Sequence, residues 1–272
     1  EEETLICERM IKLAAGGSAI RAMFEEGKRL ADEFGPENVF DFSIGNPYFA
    51  PPDAVKDAIV DIITNDDPMT VHGYPANAGF PAVREAVAQS LNRRFGTNYN
   101  AGNIIMTVGA AGGLNVILRV LCNPGDEVIV ISPYFFEYNN YIGNADAKVV
   151  VVPAAAENGF LPDLDAIAAA ITPKTKAMIL NNPNNPTGVI YSAEMLKKLG
   201  ALLEEKGKEF GTVIYVIADE PYRELAYDGA EVPWLPNCCK NTIVGYSWSK
   251  SLSLPGERIG YLVIPGDIAE GK

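Results

Sequence analysis

A lysine stands behind two serines, Ser247-Trp248-Ser249-Lys250, just past the β-rich run Thr242–Tyr246. Most lysines are solvated surface charges. One held at a strand end among small polar neighbours can instead be desolvated and form a Schiff base with a carbonyl. Eight residues on, Arg258 of Pro255-Gly256-Glu257-Arg258 offers an anion a bidentate partner. Asp219-Glu220-Pro221-Tyr222 follows the apolar run Val213–Ala218. A carboxylate there is costly to bury unless a cation meets it, and a protonated ring nitrogen is such a cation. The same aspartate also reads as a helix N-cap.

Two further strings belong with these. Thr107-Val108-Gly109-Ala110-Ala111-Gly112-Gly113-Leu114 carries a strand through small residues into a helix, where free backbone N–H groups bind phosphate. It reads equally as a tight strand–helix turn, and it lacks the G-x-G-x-x-G spacing of a dinucleotide site. Asn182-Pro183-Asn184-Asn185-Pro186-Thr187-Gly188 sets two asparagine–proline steps where a helix would normally begin. Proline turns the backbone there, and each asparagine amide brings a donor and an acceptor.

The elements that must position these residues come next. A helical pattern over Ser18–Phe34 is stopped by Gly35-Pro36. An extended piece, Val39–Ile44, leads to Gly45-Asn46-Pro47, and helical patterns follow around Ala54–Ile63 and Phe80–Phe95. From residue 104 short β-rich runs recur: Ile104–Val108, Glu127–Ile131, Lys148–Val152, Ala177–Leu180, Val213–Ala218, Thr242–Tyr246 and Ile259–Ile264. Helical patterns at Leu114–Leu121, Leu164–Ile171 and Met195–Leu203 fill several gaps. The alternation predicts an α/β fold, a mostly parallel seven-stranded sheet with helices on both faces. The last two strands are too close for a parallel crossover, so Ile259–Ile264 is expected to run antiparallel. In such sheets a ligand sits beyond the carboxyl ends of the strands, where the strings above all fall.

Composition bounds the rest. The 272 residues are 48% apolar and 21% charged, with a net charge of −13. That balance argues against nucleic acid or an anionic membrane as partner. No apolar run is long enough to span a bilayer, and the acidic Glu1-Glu2-Glu3 is unlike a signal peptide. Cys7, Cys122, Cys238 and Cys239 have neither metal-ligand nor disulfide-framework spacing, so ordinary thiols, a reducing cytoplasm and no metal are expected. His72, the one histidine, is read as incidental.

Together these strings resemble the class I/II aminotransferases, fold type I enzymes that use pyridoxal 5′-phosphate, over about Gly45 to Pro265. The Ser247–Gly260 string is nearest to aspartate-aminotransferase-like bacterial members. The resemblance implies a role for each residue. Lys250 holds the cofactor covalently, Asp219 pairs with its ring nitrogen, and Tyr222 and Asn185 meet its phenolic oxygen. Phe135 stacks on the ring, with Tyr134 as second choice. Gly109, Ala110, Ala111, Ser247 and Arg258 cup the phosphate. Tyr74, with Arg84 beyond, reaches the phosphate of the partner in a homodimer. Gly45 and Asn185 meet the substrate. The implied activity moves an amino group between an amino acid and a 2-oxo acid. A lyase or synthase on the same scaffold, or a cofactor-sensing regulator, is the alternative. The expected domains are residues 1–48, an N-terminal arm and helix of a small domain, and residues 49–272, the cofactor-binding large domain. The C-terminal small domain of the family is expected to be absent.

Overall fold

Six strands that share one direction and a seventh reversed between two of them make one sheet in the computed structural model, which describes residues 6–11, 19–43 and 45–268. The strands are β1 (Ile104–Val108), β2 (Glu127–Ser132), β3 (Lys148–Pro153), β4 (Thr175–Asn181), β5 (Tyr215–Asp219), β6 (Thr242–Ser247) and β7 (Ile259–Val263). Their spatial order is β1-β7-β6-β5-β4-β2-β3. Strands β2 to β6 pair in parallel, whereas β7 is antiparallel to both β6 and β1. The α/β architecture and the reversed last strand are those read from the sequence.

The strand interiors are apolar without alternation because both faces are covered. Ile129, Ile131, Met178, Leu180, Val216, Ala218 and Val244 face one core cluster. Their neighbours Val128, Val130, Ala177, Ile179, Tyr215, Ile217 and Ile243 face the other. The first face is closed by Val87, Ala88 and Leu91 of α4 (Pro81–Phe95) and by Leu196, Leu199 and Leu203 of α8 (Ala193–Phe210). The second is closed by Leu114, Ile117 and Leu118 of α5 (Gly109–Leu121) and by Tyr138 and Ile142 of α6 (Tyr138–Asn144). Each such aliphatic or aromatic side chain contributes about 1.5–3 kcal/mol by leaving water.

Other helices among the described residues include α1 (Ala19–Phe34), α2 (Asp53–Asn65), α3 (Pro68–Val71), α7 (Leu164–Ala170) and the single turn α9 (Trp248–Ser251). Residues 1–48 and 49–272 form two separate units. In the first, α1 carries the Arg29 pairs with Glu26 and Glu33, and no strand forms among the described residues of the expected extended piece 39–44; Ile44 itself lies outside them. Among the described residues no helix is long and apolar enough to cross a membrane, and no cluster of metal-ligating side chains occurs. All four cysteines are free.

Several boundaries differ from the sequence reading, three of them for a clear reason. Strand β5 starts at Tyr215 rather than Val213, because Gly211 ends α8 in the left-handed conformation and Thr212 N–H still bonds Gly207 O. Helix α8 runs on to Phe210, past Leu203, through a charged stretch that lacks apolar periodicity. Helix α5 begins at Gly109 instead of Leu114, so the glycine-rich string is helix rather than a lead-in turn.

The pairing brings the chemistry-bearing strand ends into line. Asn181 is opposite Asp219, Asp219 opposite Gly245, Ser247 opposite Gly260, and Gly260 opposite Thr107. Gly260 is small because the backbone passes close: a Cβ there would lie 2.5 Å from Tyr246 O and 2.8 Å from Gly109 C. Neither can swing away as a side chain would. Gly260→Ala is therefore expected to lower stability by about 1–3 kcal/mol through overpacking, read as a shift in the urea midpoint; an unchanged midpoint would show that β7 and α5 are not held this tightly.

Candidate active site

A cavity of about 200 Å³ opens at the carboxyl ends of β4, β5 and β6, lined by residues from each of the singled-out strings. Its walls include Ala110 and Ala111, Phe135, Asn185, Asp219 and Tyr222, and Ser247, Lys250 and Arg258. This is where an open α/β sheet places its ligand.

Asp219 ends β5 and is buried. Tyr138 Oη donates to its Oδ2 at 2.7 Å, while Oδ1 is buried and has no hydrogen-bond partner. Burial pushes the Asp219 carboxyl up to about 6, against the opposing effect of the Tyr138 bond. The fully buried Tyr138 phenol is itself held well above its ordinary range, by burial first and then by the Asp219 charge. A cationic N–H donor in the cavity would satisfy Oδ1 and reverse the shift.

The asparagine string reaches Asp219 through Asn181. Its Nδ2 donates to Asp219 O at 2.8 Å, and its Oδ1 accepts from Asn185 N–H at 2.6 Å. Asn185 Nδ2 donates to Tyr222 Oη at 3.1 Å, so the two side chains assigned to one oxygen atom are adjacent. The peptide bonds before Pro183 and Pro186 are both cis. Burial raises the Tyr222 phenol, with Asp219 adding to the effect.

On the opposite side, α5 starts at Gly109 after Val108, whose side chain caps nothing. Its first N–H groups have no intrahelical acceptor and carry the positive end of the helix dipole. Gly109 has φ 68°, and a Cβ on it would lie 3.0 Å from Arg258 Nη2. Arg258 is itself held at φ 55°, a conformation unusual for a side-chain-bearing residue and one that clusters at functional sites. Its Nη1 donates to Pro255 O. Ser247 Oγ, buried, donates to Ser249 Oγ at 3.1 Å. Lys250 is half-buried, and desolvation lowers its pKa.

Phe135 lines the cavity and packs edge-on against Tyr138, at 5.6 Å between ring centroids. Tyr134 does not line it; its Oη donates to Asn139 instead. Tyr74 is fully exposed and does not line it either. Gly45 belongs to the first unit. Arg84 caps the turn at Gly79 and Ala101 through their carbonyls.

The sequence reading gave no role to Tyr138, Tyr141 or Asn181. Tyr141 lines the cavity, and burial raises its phenol to about 12. The signal was present as aromatic residues at 135, 138 and 141, one helical face. It also missed Glu220, fully buried beside Asp219 and paired with the nearly buried Arg223. Arg223 donates onward to Val232 O and Pro233 O, which fastens the segment after β5 from below.

The family model for "Aminotransferase class I and II" matches residues 37–271. The chain belongs to the class I and II aminotransferase family. An aspartate aminotransferase of Pyrococcus horikoshii is 33% identical over 264 residues, 97% of this chain and 63% of that protein. A probable N-acetyl-LL-diaminopimelate aminotransferase of Bacillus subtilis is 37% identical over 235 residues, 86% of this chain and 57% of that protein. Among solved structures, an amino transferase from Eubacterium rectale superposes with TM-score 0.95 at 47% identity, covering 98% of this chain and 67% of that one. Aspartate aminotransferase of Thermus thermophilus with maleate gives 0.80 at 33% identity, covering 92% and 62%. The chain thus spans less than two thirds of the length of the curated relatives it matches.

For this class I/II chain, the buried, half-satisfied Asp219 has a consequence for stability. With its carboxyl raised from 3.8 to about 6, its contribution is fully present below the lower value and lost as pH rises through the upper one. Above pH 6 the loss is on the order of 3 kcal/mol. Asp219→Asn is therefore expected to make the cofactor-free chain more resistant to urea at pH 8, with the advantage vanishing by pH 4. A wild-type chain at least as stable as the variant at pH 8 would contradict the assignment of Asp219 as an uncompensated buried charge.

Proposed function

We propose that this chain binds pyridoxal 5′-phosphate and serves an aminotransferase that moves an amino group between an amino acid and a 2-oxo acid. One observation carries the reading. The buried Asp219 Oδ1 without a partner lies in the same cavity as half-buried Lys250 and the uncapped start of α5. A protonated ring nitrogen fits the first, a carbonyl the second and a phosphate the third.

In this reading Asp219, steadied by Tyr138, would keep the ring nitrogen protonated. Asn185 and Tyr222 would hydrogen-bond the ring oxygen, and Phe135 would pack on the ring. Ala110 and Ala111 N–H groups at the start of α5 would hold the phosphate, with Gly109 admitting the Arg258 guanidinium and Ser247 adding a hydroxyl. Lys250 is the only amine among the described residues lining the cavity. It would hold the cofactor through its amine, and with substrate bound its neutral Nζ would take the proton from the substrate Cα as general base and return it as general acid. Its burial supports this, because a lowered pKa leaves more of the amine neutral near pH 7. The bound cofactor supplies a conjugated ring that accepts the electrons left when that proton departs.

The substrate is assigned to Asn185 and to the backbone of Gly45 by family resemblance. Aspartate is the first amino donor to try, since relatives from Pyrococcus horikoshii and Geobacillus stearothermophilus are named for it. The same resemblance supports a homodimer working in cytoplasmic amino acid metabolism. Analysis of the product, an oxo acid as against an eliminated group, separates transamination from a lyase on this scaffold.

Borohydride reduction after incubation with pyridoxal phosphate is expected to fix cofactor on Lys250 of the wild-type chain and none on Lys250→Ala. Equal labelling of both would overturn the assignment. The exposed Tyr74 is expected to serve a second copy of the chain. In the full-length protein, inactive Lys250→Ala and weakened Tyr74→Phe subunits, mixed after dissociation, should regain activity in hybrid dimers; a fully active monomer would contradict this.

A further inference from the structure

Lys250 sits in α9, one helical turn of four residues. A single turn has no stability of its own, since its nucleus fixes several residues for very few hydrogen bonds. Whatever holds α9 from outside therefore sets where Lys250 stands. Two supports are visible. Tyr246, Trp248 and Tyr261 pack ring against ring, at 5.8, 5.0 and 5.2 Å between centroids. The second support is polar. Tyr246 Oη lies 2.8 Å from Ser251 Oγ, at the end of the turn, and 2.9 Å from Glu224 Oε2. Glu224 Oε1 in turn pairs with Arg94 of α4.

The proton order along this chain follows from valence. A carboxylate only accepts, so Tyr246 donates to Glu224. That uses its one proton, so Ser251 must donate to Tyr246. The buried Tyr246 phenol is raised well above its ordinary range, by burial first, so it stays a donor at any pH where the protein works. Arg94 compensates the Glu224 charge that receives the bond. None of these four residues lines the cavity. Glu224 lies two residues past Tyr222, on the segment that begins at Asp219. The chain of bonds thus ties the turn bearing Lys250 to the segment bearing Asp219 and Tyr222, from behind the cavity wall.

We propose that Glu224, acting through Tyr246 and Ser251, is a positioning residue that sets Lys250 in register with Asp219 and Tyr222. The role given to Lys250 rests on the functional reading above. The titratable and charged groups sharing the cavity with Lys250 are Asp219 of β5, Tyr222 after it, Tyr141 of α6, and Arg258 before β7. Loosening the turn leaves these in place and lets Lys250 drift toward water.

The test separates this support from ring packing and from cofactor chemistry. Tyr246→Phe keeps the ring and removes only the hydroxyl; Ser251→Ala cuts the next bond; Ser251→Thr keeps a hydroxyl. Trace labelling of the cofactor-free chain with acetic anhydride across pH, read by mass spectrometry of the Lys250 peptide, gives the titration midpoint of that amine. In Tyr246→Phe, Ser251→Ala and Glu224→Ala the midpoint is expected to rise by about half a pH unit or more as desolvation is relieved. The Tyr246→Phe/Ser251→Ala double variant should go no further than either single one, because the bonds act in series. Ser251→Thr should keep the wild-type midpoint. Borohydride-fixable uptake of pyridoxal phosphate should slow roughly tenfold in the three disrupting variants, as expected when a reacting group is displaced. A folded Tyr246→Phe with the wild-type midpoint and uptake rate would overturn the proposal. If that variant does not fold, the same result in Ser251→Ala would overturn it. A wild-type chain that takes up no pyridoxal phosphate would instead remove the functional reading, and the labelling midpoints on cofactor-free protein would still decide the positioning role.

Discussion

A carboxylate buried at the end of a central strand, with one oxygen bonded and the other not, is the constraint around which this structure is arranged. Tyr138 can reach Asp219 Oδ2 only because α6 packs its aromatic face against the sheet. Asn181 can hold the Asp219 carbonyl only because β4 and β5 pair in parallel with those two residues opposite each other. The same asparagine fixes the Asn185 backbone, so one side chain sets two walls of the cavity. An unpaired buried carboxylate costs stability, and proteins keep such groups where a bound partner compensates them. Asp219 is therefore placed to receive a cationic donor on Oδ1.

The second organising feature is close backbone approach near α5. Gly260 admits the backbone of Gly109, Gly109 admits the Arg258 guanidinium, and Gly113 admits Leu262, whose Cδ2 would lie 2.7 Å from a Cβ there. Together they bring an uncapped helix start and a guanidinium to the edge of one cavity. With α9 tied to the segment after β5 by the Glu224 chain, every group assigned a role there except Gly45 belongs to the second unit.

Much of this was legible in the sequence, and the failures have physical causes. The seven strands were readable because doubly covered parallel strands need apolar residues at consecutive positions, as in Val128 to Ile131. Asp219, Asn185 and Lys250 stood out because polar residues at or shortly after the ends of such runs fall at the strand ends; Arg258 stands just before the reversed strand β7, which begins at the same edge. Tyr138 did not, since its partner is 81 residues away and a buried hydroxyl looks like any aromatic in a core position. Helix α5 was started late because glycine and alanine repeats carry no apolar period, although their smallness is what the close approaches require. Glu220 and Arg223 lie three apart in a polar string, and nothing local announces that both are buried and paired, with the Arg223 guanidinium over the Trp234 and Phe95 rings.

The central claim is that Asp219 meets a protonated ring nitrogen. The most direct measurement is the ¹⁵N chemical shift of pyridoxal phosphate labelled at that nitrogen and bound to this chain, followed across pH. A nitrogen that stays protonated well above the pH at which the free cofactor loses that proton, and does so in wild type but not in Asp219→Asn, is the expected result. A bound cofactor whose nitrogen titrates as it does free in water would contradict the account.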